Sequence, residues 1–264
     1  MKIAFLVPEI LNCGPLNVVL NIVKFLDRGH FEPILIAIRK TNDIEYQNIF
    51  NMHLNEIYYL DECKSKIQSL EGIVLDHGVQ VIHSHGYYPD KLVNALNVAH
   101  IKKISTIHCM FYKDYLKEYG YWKGLIGAYL HSKLLKNGDF QYIVGCSSSV
   151  ANYCKNNLKI SKTLVINNGV DQNKYFILPE SEKLKYKSEL GLINKRIFIF
   201  AGRFIRRKRV PELLHLFNFR NAEDVVLLLL GDGPEKEECE RVFSSDNIRF
   251  LGQVSNPEKY YQIA

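Results

Sequence analysis

Short, continuously apolar runs alternate with stretches of helical periodicity along most of the chain, and this alternation constrains the fold more than any other feature. The first run is KIAFLV at 2–7, followed by Pro8 and a loop containing Gly14. A helical pattern then runs from Leu16 to Leu26, with apolar residues at 16, 19, 20, 22, 23 and 26, and ILIAI follows at 34–38. VQVIHSH (79–85), ISTIH (104–108), YIVGCS (142–147) and TLVIN (163–167) continue the series. Helical stretches near 62–76, 90–99, 113–136 and 148–158 separate them. A strand covered on one face alternates apolar and polar residues; a parallel strand covered on both faces is apolar throughout. The runs are of the second kind, and short β–α–β connections between them predict the α/β class with a doubly wound parallel sheet.

The pattern lapses over 172–195, a polar stretch with Pro179 and a Lys/Glu-rich segment of helical length. It restarts with RIFIFAG (196–202), a helix near 210–219, VVLLLLGDGP (225–234), a helix near 235–243 and IRFLGQV (248–254). EKYYQIA then reads as the opening of another helix. This predicts a first domain over 1–178, an interdomain linker over 179–195 and a second, partial domain over 196–264. Three strands are too few for a parallel sheet closed on both faces. The second domain is therefore expected to be incomplete, with Ala264 marking a truncated product or partial sequence.

Charge is concentrated in two places. Residues 102–136 hold seven lysines against Asp114 and Glu118, and residues 203–209 hold Arg203, Arg206, Arg207, Lys208 and Arg209 with no acid. With a net charge of +6, the rest of the chain is mildly acidic, which points to two anionic partners or to one anionic partner and an anionic surface. The six cysteines form no CxxC pair, against a zinc ribbon or a thioredoxin-type site and in favour of reduced, buried thiols. No apolar run reaches the roughly 20 residues that span a bilayer. MKIAFLVPEI is too short before Pro8 and Glu9 to read as a secretory signal, which predicts a cytoplasmic location.

Chemistry-bearing residues fall where strands end. Gly14, between the first strand and first helix, permits close backbone approach near helix N-terminal amides. No G-x-G-x-x-G is present, against a dinucleotide site. His83 and His85 share one face of their strand by the period of two, and His108 ends the next strand. Three readings stay open for these histidines: ligands of a divalent metal, polar contacts to a substrate hydroxyl or phosphate, or packed core side chains. Arg203 and Lys208, five positions apart on the loop after RIFIFAG, can clamp a diphosphate, Arg as a fork and Lys as a point charge. The cluster is compact and lacks interleaved aromatics, against nucleic acid. Gly231 and Gly233 bound a turn after a very apolar strand, suited to a ligand approaching the backbone. Residues 111–136 carry seven aromatics among lysines, a composition that suits an anionic membrane surface or an ordinary packed surface helix.

Taken in order, these segments resemble the family 4 retaining glycosyltransferases of the GT-B fold. NCGPLNVVLNIVKFL resembles the family's N-terminal glycine loop, with Cys13 where the first glycine usually stands. VIHSHG, ISTIH and YIVGCSSSVANYC resemble its strand ends, and VINNGVD (165–171) resembles its Asn-Gly-Val-Asp signature. GRFIRRKR resembles its GR…KG loop, with Arg209 in place of the glycine; LLGDGP and IRFLGQV complete the series.

The resemblance implies two Rossmann-like domains facing across a cleft, the second binding a nucleotide-sugar donor (a UDP- or GDP-sugar) and the first an acceptor. It assigns Arg203 and Lys208 to the leaving diphosphate, Gly14 to the loop approaching it, and His108, with His85, to the transferred sugar or acceptor. Gly231, Gly233 and Gly252 would border the nucleoside. No cofactor and no metal are called for, because cationic side chains neutralise the diphosphate. The expected activity is a retaining hexosyl transfer to a saccharide, lipid-linked, in surface polysaccharide synthesis (lipopolysaccharide, capsule or exopolysaccharide). The expected place is the cytoplasm or, peripherally, the inner face of the cytoplasmic membrane. The family's further acidic motif, two glutamates eight positions apart, would lie beyond YYQIA. The 264-residue chain is therefore expected to be impaired. The alternatives are a non-catalytic remnant or partner subunit, and a metal-dependent hydrolase built on His83, His85 and His108.

Overall fold

In the computed structural model, which describes residues 1–218, 224–243 and 245–264, the chain divides into two compact units, Met1–Gly169 and Val170–Ala264. The first unit contains β1 (Lys2–Val7), α1 (Gly14–Phe25), β2 (Glu32–Ala37), α2 (Ile44–Asn51), β3 (Ile57–Tyr59), α3 (Lys66–Asp76) and β4 (Val81–His85). It continues with α4 (Tyr87–Ala95), β5 (Lys102–Ile107), α5 (Phe111–Tyr119), α6 (Tyr121–Asn137), β6 (Tyr142–Gly145), α7 (Ser148–Asn156) and β7 (Thr163–Val165). Its seven strands pair in the order β3-β2-β1-β4-β5-β6-β7, all parallel.

The period of two explains how both faces close. Phe5 and Val7 of β1 and Leu35 and Ala37 of β2 pack with Leu16, Val19 and Val23 of α1 and Tyr46 and Phe50 of α2. Ala4, Leu6, Ile34 and Ile36 point the other way, into a core with Leu70 and Val74 of α3, Val93 of α4, Ala128 and Leu135 of α6 and Val150 of α7. Each fully buried side chain of this size contributes about 1.5–3 kcal/mol of transfer free energy. Side-chain caps fix three helix starts. Asp43 accepts from the Tyr46 amide at 3.0 Å, Ser65 from that of Gln68 at 3.4 Å and Ser147 from that of Val150 at 3.3 Å.

The periodicity predicts a single helical region over 113–136; the structure has two helices. Gly120, at φ +81° and ψ 168°, is the residue that turns the chain between them, in a backbone region that glycine alone enters readily and that costs other residue types about 1–3 kcal/mol. The reading also passed over α2 and β3.

The second unit contains α8 (Glu180–Glu189), β8 (Arg196–Ala201), a 3₁₀ turn (Arg206–Lys208), α9 (Val210–Asn218), β9 (Val225–Leu230), α10 (Lys236–Val242), β10 (Ile248–Gly252) and α11 (Pro257–Tyr261). The three strands are parallel in the order β10-β9-β8. The predicted end of the helix at Phe219 lies outside the described residues. β9 (VVLLLL) is buried along its whole length. Leu227 and Leu229 pack with Phe204, Val210 and Leu214, whereas Val226, Leu228 and Leu230 pack with Leu192 and Ile263. β9 is thus covered on both faces within a sheet of three strands, contrary to the expectation from strand count.

The boundary also differs from the predicted one. The division falls after Gly169 rather than after 178, and residues 179–195 are no free linker. Tyr186 and Leu190 pack against the core that holds Leu192, so this polar-looking stretch is the cover of the second unit.

Candidate functional site

Polar groups gather at the carboxyl ends of the strands in each unit. In the first unit, the chain runs from β1 outward through β2 to β3 and returns to β4 on the other side of β1. Parallel α/β sheets bind ligands outside the strand ends at such a switch point. The loops after β1 and β4 meet there: a Cβ placed on Gly86 would lie 3.6 Å from Pro8 Cγ. Gly14 opens α1 on the β1 side. No side chain caps α1, no acid lies in its first turn, and a Cβ on Gly14 would meet nothing within 4 Å. The space over Gly14 is open, and nothing within the chain demands a glycine at this position.

His83 and His85 do share a face, their rings 4.4 Å apart and next to Phe5. His83 Nε2 is hydrogen-bonded to Thr106 Oγ1 at 2.7 Å. His85 Nδ1 and His108 Nε2 share one proton across 2.9 Å, and the two rings stack at 26°. His85 is 1% exposed, and its Nε2 is buried without a hydrogen-bond partner among the described residues. Desolvation pushes His83 down to about 4, reinforced by His108. It pushes His108 down to about 4, against the opposing influence of the Asp90 carboxylate. His85 is lowered well below the ordinary value by burial and by its two histidine neighbours. All three are neutral imidazoles at pH 7, able to donate or accept one hydrogen bond per nitrogen but carrying no charge. Only His85 of the three is buried; His83, held by Thr106, and His108 are half-buried. Among the described residues, no group of three or more His, Cys, Asp or Glu is placed to share a metal ion.

In the second unit, Gly202, Gly231 and Gly252 stand at the ends of β8, β9 and β10. Gly231 is at φ +127°, and a Cβ there would lie 2.1 Å from the Gly202 carbonyl oxygen. A Cβ on Gly233 would lie 2.6 Å from the Phe204 carbonyl oxygen. The two loops are tied by the Phe204 amide donating to the Asp232 carbonyl (2.9 Å) and the Glu235 amide donating to the Phe204 carbonyl (3.1 Å). The close approach read for Gly231 and Gly233 is therefore to the protein's own backbone. These glycines build the platform from which the cations project.

Arg203 and Lys208 are both exposed on that platform, and neither makes an ion pair among the described residues. Lys208 folds back so that its Cε would lie 3.9 Å from a Cβ on Gly202. Arg209, the departure from the family pattern, adopts φ 57° and ψ 41°. It keeps the left-handed turn a glycine would make, and its Nε donates to Glu212 Oε1 at 3.0 Å. The platform thus offers a fork and a point charge, both unclaimed by carboxylates, to an anion.

The structure therefore brings His85 and His108 together in the first unit, and gathers Arg203, Lys208, Gly231, Gly233 and Gly252 in the second. Sequence reasoning missed Asp90, His131 and Tyr115. They join in one buried cluster behind the histidines: His131 Nε2 donates to Asp90 Oδ2 at 2.7 Å, and Tyr115 lies 2.8 Å from His131 Nδ1.

The model of Glycosyltransferase Family 4 matches residues 14–174, and that of Glycosyl transferases group 1 matches residues 182–264. The chain belongs to glycosyltransferase family 4. Among curated relatives, the O-antigen biosynthesis glycosyltransferase WclY of Escherichia coli is 25% identical over 267 residues, covering 98% of this chain and 70% of WclY. An uncharacterized glycosyltransferase of Methanocaldococcus jannaschii, MJ1178, is 27% identical over 252 residues, 90% of this chain and 62% of that protein. Among solved structures, Anabaena Alr3699/HepE in complex with UDP and glucose superposes with a TM-score of 0.77 at 15% identity, over 98% of this chain and 71% of that one. TarM gives 0.73 at 9% identity, over 99% and 78%. The UDP-GlcNAc 2-epimerase of Neisseria meningitidis gives 0.58 at 14% identity, over 99% and 74%. The fold is that of the GT-B glycosyltransferases. An epimerase shares the likeness, so the substrate has to be argued from the side chains rather than from the fold.

Proposed function

We propose that this family 4 glycosyltransferase transfers a hexose from a UDP- or GDP-sugar to a lipid-linked saccharide in surface polysaccharide synthesis, with retention of configuration. The observation that carries this reading is the pair Arg203 and Lys208, exposed at the strand ends of the second unit and without an ion pair among the described residues. The name of WclY, an O-antigen enzyme, and the UDP and glucose in the HepE complex support the polysaccharide and donor parts.

In this reading the anomeric carbon–oxygen bond to the diphosphate breaks, the acceptor hydroxyl oxygen bonds to that carbon, and the hydroxyl proton leaves with the nucleoside diphosphate. The charge that develops on the leaving diphosphate is met by the Arg203 guanidinium and the Lys208 ammonium, the part a metal ion would otherwise play. Gly14 leaves room for the loop after β1 to approach the donor. His108, with His85 behind it, offers a neutral hydrogen-bonding group to the transferred sugar or the acceptor hydroxyl. Gly252 lies beside the nucleoside, and Gly231 and Gly233 border it.

The α5–α6 pair carries the membrane part of the proposal. Trp122 is 73% exposed, and Tyr119, Tyr121, Ile126 and Tyr129 are exposed with it. α6 holds three lysines and no acid. Aromatic rings and lysines on one surface suit the headgroup layer of an anionic bilayer. Among the described residues no helix is long and apolar enough to cross a membrane. Co-sedimentation with vesicles containing anionic lipid is expected to retain the protein and to fall severalfold for Trp122→Ala; equal retention on neutral vesicles removes the membrane from the proposal.

The transfer itself is tested by incubating the purified protein with radiolabelled UDP- and GDP-hexoses and a bacterial lipid-linked oligosaccharide extract. Label is expected in the organic phase, at a rate below that of a relative such as WclY, and Arg203→Ala should abolish it. No label from any donor, under conditions where a full-length relative transfers, counts against the reading.

A further inference from the structure

Behind the His85–His108 hydrogen bond lies a polar cluster that the transferase reading does not use. Ser84, between His83 and His85 on β4, donates to Asp90 Oδ1 of α4 at 2.5 Å. Asp90 is fully buried and His131 of α6 is 2% exposed. The carboxylate fixes a proton on His131 Nε2, at 2.7 Å, and leaves Nδ1 to accept from the Tyr115 hydroxyl at 2.8 Å. Burial raises Tyr115 above its ordinary value, so this hydroxyl keeps its proton. Phe111, three residues after His108 and the first residue of α5, stacks on the His131 ring at 4.2 Å and 20°.

We propose that Asp90 and His131 are positioning residues that brace both partners of the His85–His108 hydrogen bond. On one side the brace grips Ser84, the immediate neighbour of His85. On the other it grips Phe111 and Tyr115, which anchor the short segment carrying His108. A buried carboxylate is costly unless every lone pair is used, and both oxygens of Asp90 are engaged, so the cluster has one well-determined arrangement. That is what a hydrogen-bonding side chain at a reacting centre needs, since a displacement of about 1 Å can cost about a hundredfold in rate. The titratable group that acts on His108 is Asp90 of α4, and those that act on its partner His85 are His83 of β4 and His108 itself. Among them only Asp90 favours the protonated form of His108, so the brace also carries a charge influence on this residue.

The use of this brace in catalysis rests on the transferase reading, but its existence is tested without any substrate. NMR of the ¹⁵N-histidine-labelled 264-residue protein at pH 7 reads the coupling across the His85 Nδ1–His108 Nε2 hydrogen bond and the ring nitrogen shifts of both residues. Asp90→Asn and His131→Gln are expected to abolish that coupling and move the His108 shifts while the fold, read by amide dispersion, persists. Ser84→Ala and Tyr115→Phe, which each remove one hydroxyl, are expected to weaken it. They carry the same test if the Asp90 variant does not fold. Retention of the wild-type coupling and shifts in the folded variants, with only a lower Tm, overturns the proposal and leaves the cluster a packing feature. Where the coupling is instead weakened, the Ser84→Ala variant should show, in transfer assays, kcat reduced at least about tenfold with donor KM little changed.

Discussion

In the first unit β4 and β5, and in the second β8 and β9, end at the carboxyl edge of a parallel sheet, yet the polar groups there differ in kind. Of the three histidines at the strand ends of the first unit, His85 is buried and His83 and His108 are half-buried; all are uncharged, His83 bonded to Thr106 and His85 to His108. Arg203 and Lys208 of the second unit are exposed and make no ion pair with any described residue. The difference follows from what lies behind each set. β4 backs onto a sealed cluster around Asp90, so its polar groups can be held in low dielectric by hydrogen bonds. β8 ends on a platform of backbone knitted to backbone, Gly202 against Gly231, which leaves the charges of Arg203 and Lys208 at the surface. One set is suited to orienting a neutral hydroxyl, the other to capturing an anion.

The largest effect expected on this contrast comes from the platform. Gly231→Val places a branched side chain 2.1 Å from the Gly202 carbonyl at φ +127° and should destabilise the second unit by about 2–5 kcal/mol. Urea unfolding followed by amide NMR should show residues of the second unit melting early while those of the first keep their midpoint. Arg203→Ala and Lys208→Ala come next. Each removes a charge-assisted contact of about 1.5–3 kcal/mol and should weaken UDP binding by roughly 10- to 100-fold without moving Tm. The loss should be smaller at high salt.

The histidines give a pH effect confined to the first unit. Their folded values lie below the ordinary 6.5, so the unfolded chain binds more protons between these limits. Their contribution to stability is fully present above about pH 6.5 and is lost as pH falls toward about 4. Tm of the first unit should decline through this window, and His83→Gln should flatten the decline. The smallest effect is expected at Arg209. Replacing it with Gly relieves a left-handed turn and removes the Glu212 contact, a net change within about 1 kcal/mol by thermal denaturation.

What the sequence discloses follows the range of the forces involved. VVLLLL announces a strand covered on both faces, because burial is written into each of its residues. The shared face of His83 and His85 follows from a period of two, and the glycine and cation spacing after β8 from local chain geometry. α2 escaped notice because IEYQNIFN buries only Tyr46 and Phe50, and β3 because three residues carry no period. The break at Gly120 hides inside a stretch that is helical on either side. α8 looked like a linker because none of its residues is fully buried, although Tyr186 rests on the core. Asp90 and His131 were illegible for a stronger reason. They meet across 41 residues, and nothing in YYPDK or AYLHS marks either as the other's partner.

Calorimetric titration of the protein with UDP and, separately, with uridine bears most directly on the central claim that Arg203 and Lys208 form an anion site for a nucleotide sugar. UDP is expected to bind at least tenfold more tightly than uridine, with the difference lost in the Arg203→Ala/Lys208→Ala double variant. Equal affinity for UDP and uridine, or a double variant that binds UDP like the wild type, would contradict the claim.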